Sequence, residues 1–104
     1  MVSWETLVVG EVEFKENINK KLENKIKKAL ENVLETKLEW NDDYKNYQFQ
    51  DVNWLSHVEG KKIKAVVEKF RKYIKYFSCS VFYLNESDED IIFDGKEVKA
   101  RVFW

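Results

Sequence analysis

The stretch Phe77-Ser78-Cys79-Ser80-Val81-Phe82-Tyr83-Leu84 sets the architecture of this chain. Its apolar residues fall on both parities, Phe77, Val81 and Tyr83 on one and Phe82 and Leu84 on the other. A strand that is apolar on both faces belongs in the middle of a sheet. Ahead of it, Ile63, Val66, Val67, Phe70 and Ile74 recur every three or four residues, the stripe of an amphipathic helix ending near Lys75. Ser56-His57-Val58-Glu59 before that stripe matches a capping box, with Gly60 beside it. After the strand, Asn85 to Asp90 reads as an acidic loop. Asp94-Gly95, flanked by Ile91–Phe93 and Val98–Trp104, is the signature of a type I′ hairpin.

The first half of the chain has the same grammar. Trp4, Thr6, Val8, Val12 and Phe14 alternate with mostly polar residues, which predicts a strand with one buried face. Gly10 interrupts it and marks a bulge or a close backbone approach. Asn17 is placed to cap a helix, and Ile18, Leu22, Ile26, Ala29, Leu30, Val33 and Leu34 give that helix about five turns. Lys37 to Trp40 reads as a short strand, Asn41-Asp42-Asp43 as a turn, and Tyr47 to Trp54 as the returning strand. The apolar phase of this strand slips between Tyr47/Phe49 and Val52/Trp54, and a bulge near Asp51 would reconcile the two. The order is β-α-β-β-α-β with a hairpin after it. The expected fold is therefore one α+β domain over 1–104, with a ferredoxin-like antiparallel sheet, two helices on one face and a C-terminal β-hairpin extension.

Composition narrows the function classes. The chain has 104 residues, 44% hydrophobic and 36% charged, so it is neither disordered nor membrane-like. Folding at this length hides about 65% of the unfolded surface, enough for one core layer and no deep enzyme interior. The formal net charge is -1, against both a generally basic nucleic-acid binder and an acidic nucleic-acid mimic. The distribution is uneven: Glu59 to Lys75 holds seven basic and two acidic residues, and Glu86 to Glu97 holds six acidic and one basic. No apolar run approaches the ~18 residues of a membrane span, and Val2 to Val9 lacks the basic start of a leader, so a cytoplasmic location is expected. The absence of proline and the abundance of Lys, Glu, Asn and Ile fit an A/T-rich coding sequence, such as that of a low-GC bacterium or its phage.

Few residues offer chemistry. His57 is the only histidine and Cys79 the only cysteine, which excludes an internal disulfide and a closed zinc site. His57 reads as a helix-start residue before it reads as a general base, because its neighbour Ser56 diverges from it. Cys79 reads as a small buried hydrophobe. Glu86, Asp88, Glu89 and Asp90 lack the order of a calcium loop, so no metal is expected. The three glycines are isolated, so there is no phosphate-binding loop, and with no catalytic constellation the chain is not expected to be an enzyme or to carry a cofactor. Lys61, Lys62, Lys64, Lys69, Arg71 and Lys72 could meet phosphates but also fill the solvent face of a helix. Tyr47, Phe49, Phe82 and Tyr83 could form an aromatic platform for RNA bases, although the basic-Gly-aromatic-Gly/Ala-aromatic pattern of such platforms is absent.

The opening strand Trp4–Phe14, the lysine/glutamate helix at 18–35, the junction Trp54-Leu55-Ser56-His57 and the acidic Asp88–Asp90 segment before a terminal hairpin together resemble small ferredoxin-like proteins of phages and mobile elements. That group includes several anti-CRISPR proteins. The resemblance implies a cytoplasmic inhibitor acting by protein contact, and carries over no functional residue. The expected partner is a protein, such as a nucleic-acid-binding host defence protein, met by exposed Tyr44, Tyr47 and Trp54 together with Glu86, Asp88, Glu89 and Asp90. Nucleic acid on the basic second helix is the alternative. A monomer and a homodimer joined along a sheet edge, through the hairpin or an unpaired strand, both remain open.

Overall fold

The structure, a computed structural model, describes residues 3–56, 58–83 and 88–103, with 3–5, 53–56, 102 and 103 described through their backbone only. Six strands and two helices follow one another as β1 (Ser3–Phe14), α1 (Lys20–Leu34), β2 (Glu39–Asn41), β3 (Asn46–Ser56), α2 (Gly60–Phe70), β4 (Ile74–Tyr83), β5 (Asp88–Phe93) and β6 (Val98–Phe103). A single 3-10 turn, Arg71–Tyr73, joins α2 to β4. The strands form one antiparallel sheet in the order β2-β3-β1-β4-β5-β6.

This order and strand count correct the expected ferredoxin-like β-α-β-β-α-β arrangement. The last two strands are not a hairpin appended outside the sheet. β5 pairs with β4 from Phe77↔Phe93 to Val81↔Glu89, and β6 continues the sheet from Asp88↔Phe103 to Phe93↔Val98. The both-sided apolarity of β4 has this cause: it has β1 on one flank and β5 on the other. Asp88, Glu89 and Asp90 are strand residues rather than a loop. Asn85, Glu86 and Leu84 lie outside the described residues.

Register sorts the strand residues into two faces. Tyr47, Val12, Phe77 and Phe93 stand side by side, as do Phe49, Gly10, Cys79 and Ile91 in the next row. These rows, with Val8 and Val81, meet Ile26, Leu30 and Leu34 of α1 and Ile63, Val67 and Phe70 of α2 in one buried core. Both helices thus cover the same face of the sheet. Each fully buried Ile or Leu is worth about 2 kcal/mol, whereas exposed pairs such as Lys20–Glu23 contribute well under 1 kcal/mol. The apolar stripes, not the salt bridges, hold the helices down.

Local signals hold at α1 and fail at α2. Asn19, not Asn17, caps α1, its side chain accepting from the N–H groups of Lys21 at 2.8 Å and Leu22 at 3.4 Å. The helix ends at Glu35 in the left-handed region, φ 55°. At α2 the expected capping box does not form. Ser56 is the last residue of β3, drawn into the ladder opposite Ser3, and His57 lies outside the described residues. Glu59 occupies the cap position, but its side chain does not cap the helix. The expected bulge near Asp51 is also absent: β3 runs in unbroken register with β1, and Val52 points to the face away from the helices. The irregularity in β1 falls instead between Glu13 and Phe14.

Candidate interaction surfaces

The sheet has a face that neither helix covers. Across it, register aligns Glu39, Gln48, Glu11, Ser78, Ile92 and Lys99 in one row, and Gln50, Val9, Ser80, Asp90 and Arg101 in the next. Beyond these, Val52, Leu7 and Phe82 form an apolar end, with Val52 48% and Phe82 41% exposed. Polar side chains on this face bond to one another. Asn46 Nδ2 donates to Glu11 Oε2 at 3.2 Å, and the Ser80 hydroxyl donates to Asp90 Oδ1 at 2.7 Å. Glu11, Glu39, Asp88 and Asp90 outnumber Lys99 and Arg101 here, so the face is acidic around an apolar end.

The expected partner-binding residues do not form one surface. Tyr44 is 70% exposed in the β2–β3 turn. Tyr47, expected at the surface, is 8% exposed, because its ring faces the helices. It is enclosed by Phe14 at 5.9 Å and Trp40 at 5.1 Å, with Lys27 Nζ 5.2 Å from its centroid. Its hydroxyl donates to Glu23 at 3.4 Å, and burial first and that carboxylate second raise its pKa. The side chain of Trp54 and all of Glu86 lie outside the described residues. Asp88 begins β5 at the corner diagonally opposite Tyr44, roughly 25–30 Å away at ordinary strand spacing and rise. Asp88 and Asp90 point to the uncovered face, whereas Glu89 points to the helix side. There its carboxylate lies against Gly60 at the first turn of α2, 3.1 Å from the Tyr83 hydroxyl. A negative group at a helix N-terminus is favourable, so Glu89 complements the dipole of α2 from across the fold.

The expected aromatic platform also separates. Phe49 is buried and stacks on Phe77 at 6.2 Å, and Tyr83 points to the helix side. Only Phe82 of the four reaches the uncovered face. Cys79 is fully buried in the central row, and burial, then the Asp90 charge, push its thiol far above the ordinary range. It packs as a small hydrophobe in the core, out of reach of solvent.

The basic residues gather on the opposite layer. α1, α2 and the 3-10 turn carry eleven of the eighteen Lys and Arg but three of the nineteen Asp and Glu. Lys62 pairs with Glu59 at 3.6 Å and Lys64 with Glu68 at 3.8 Å. Lys69 and Lys72 lie over the rings of Phe70 and Tyr73, and exposed Lys61 and Arg71 make no ion pair among the described residues. The α1 lysines share this layer because both helices lie on one side of the sheet, whereas the expected nucleic-acid contact named only the second helix.

No group of three or more His, Cys, Asp or Glu among the described residues is placed to hold a metal ion. No helix among them is long and apolar enough to cross a membrane. No family model, curated protein or solved structure matches the chain.

Proposed function

We propose that this chain is a protein-binding module whose uncovered sheet face receives a basic partner surface. The observation that carries the reading is that one face of a six-stranded sheet is covered by neither helix, yet holds exposed Phe82 and Val52 inside an acidic surround. An apolar patch with a charged rim is the usual anatomy of a protein interface. Carboxylates at its margin favour a partner that is itself basic, as proteins that grip nucleic acid are. In the form suggested by the resemblance to phage and mobile-element proteins, the module inhibits a host defence protein by direct contact.

The test is affinity capture from the source organism with three baits. The wild type and a Lys61→Glu/Lys64→Glu variant should retain the same proteins. Phe82→Glu/Asp88→Lys/Asp90→Lys should lose them. Equal recovery by the sheet-face variant would remove the proposal.

A second reading is favoured by the eleven-to-three charge imbalance of the helix layer, which suits a phosphate backbone. Sequencing of nucleic acid retained on the same baits tests it. Material lost by the Lys61→Glu/Lys64→Glu bait, and kept by the sheet-face variant, would favour this reading over the first.

A further inference from the structure

β3 is eleven residues long, but β2 covers only Asn46, Tyr47 and Gln48. From Phe49 to Ser56 the strand pairs, among the described residues, with β1 alone, so one row of its backbone N–H and C=O groups faces away from the sheet. Proteins blunt such edges with lysines, prolines, bulges or covering segments. This stretch has none of the first three. It reads Phe-Gln-Asp-Val-Asn-Trp-Leu-Ser, Asp51 is its only charge, and its register with β1 is unbroken. Among the described residues no segment covers its start either: an open cleft of about 540 Å³ separates Gln50 and Asp51 from Thr36 and Lys37.

The outward groups can be assigned. In an antiparallel ladder, alternate residues direct both backbone groups to the same neighbour. The Val52 N–H donates to Asp51 Oδ1 at 2.8 Å rather than to β1. The even-numbered residues of β3 therefore present their N–H and C=O to the free edge. The free stretch, 49–56, is centred between Val52 and Asn53, and of these two Val52 has its groups outward.

We infer that a second copy of this chain pairs at this edge, β3 antiparallel to β3, about a two-fold axis at Val52. In that register Val52 exchanges both backbone hydrogen bonds with its mate, and Gln50 exchanges two with Trp54 on each side. The ladder stops at Gln48, which β2 already occupies. Asp51 falls opposite Asn53, so no like charges face each other. The free edge is thus its own complement in length, centre and charge, which favours a second copy over an unrelated peptide. Val52, among the most exposed apolar residues of the chain, would meet its own copy and extend the apolar end of the sheet face across the axis. The Val52 N–H would leave the Asp51 carboxylate, which turns to water.

Sedimentation equilibrium on the full chain, from low micromolar to submillimolar concentration, tests this. The wild type should sediment as a dimer. Val52→Pro should keep its circular dichroism, because that N–H is not in the β1 ladder and proline is tolerated on edge strands, and should sediment as a monomer. Val52→Lys, which sets two ammonium groups at the axis, should also be monomeric and serves if the proline variant misfolds. Phe82→Glu should stay dimeric, which separates this inference from the sheet-face reading. A wild type that is monomeric throughout, with or without a peptide at the edge, overturns the inference, as does a dimer that survives Val52→Lys.

Discussion

Gly10 is a position of β1 with no room for a side chain. It stands between Phe49 of β3 and Cys79 of β4 in the central core row. A Cβ there would fall on the Ser78 carbonyl oxygen and within 2.8 Å of the Phe49 ring. That ring crosses the space a side chain would fill and stacks on Phe77, so the missing side chain is what lets the aromatic pair form. Neither neighbour can give way, one being backbone and the other held by its stack. Gly10→Ala should therefore cost about 2–3 kcal/mol, the scale of core overpacking. At this chain length the loss lowers the melting temperature by roughly 10–20 °C. A thermal melt within a few degrees of wild type would show that the row relaxes freely. The close approach was legible because the even positions of Trp4–Phe14 are otherwise large or branched, and the one gap, at position 10, falls on that inward parity. Tyr47 was harder to place. An aromatic at the start of an alternating strand faces inward or outward with equal right, and only the neighbours Phe14 and Trp40, distant or across a turn in sequence, decide it.

Among the elements, the β5–β6 hairpin shows how local chemistry and tertiary context divide the work. Asp94-Gly95 was legible as a turn but not as the expected type I′ pair, because Phe93 pairs with Val98 across a four-residue loop and only Gly95 of the two has a positive φ, 96°. The Asp94 carboxylate accepts from the N–H groups of Lys96 at 2.9 Å and Glu97 at 3.3 Å, and these backbone bonds, that to Lys96 first, hold its pKa below the ordinary value. A carboxyl whose pKa is depressed on folding stabilises the fold above its unfolded value, about 3.9. That contribution is lost as pH falls through the lower folded value. Asp94→Asn keeps an acceptor but cannot titrate. The difference in urea midpoint between wild type and variant should be constant from pH 7 to about 5 and shrink as pH falls below about 4. A difference that does not change with pH would show that the carboxylate bonds do not form in solution.

The start of β5 was not legible. Three acidic residues in a row have poor strand propensity and read as a loop. They stay in the strand because Ser80 donates to Asp90, and because Glu89 finds Tyr83 and the N-terminus of α2. The capping box at Ser56 failed for the converse reason. Pairing with β1 holds Ser56 in the ladder, and the negative charge at the start of α2 comes from Glu89 of β5 across the fold. Period and turn chemistry thus gave the elements, while strand order and these two borders depended on partners far away in sequence.

At the scale of the whole molecule, layering turns a nearly neutral chain into a two-sided one. The helices and the 3-10 turn hold eleven basic and three acidic residues, and the strands eight acidic and three basic. The molecule is no thinner than 23 Å. At 0.01 M salt the Debye length is about 30 Å, and an approaching polyion meets the summed charge. At 0.1 M it is about 10 Å, and the polyion meets one face at a time. Screening should therefore reveal the basic layer before it abolishes it. At pH 7 and about 0.05–0.1 M salt, heparin should retain the chain despite a net charge of -1 and a pI near 5.9. An anion exchanger should retain it under the same conditions, through the strand carboxylates. Lys21→Glu/Lys25→Glu/Lys61→Glu should abolish heparin retention, and Asp88→Lys/Asp90→Lys should weaken only the anion-exchange step. If a single exchanger binds the wild type, and both variants shift it equally, the charges act as one sum and the faces are not electrostatically distinct. Retention on both columns, lost separately, would mean that a basic protein on the sheet face and a polyanion on the helix layer can be held without competing.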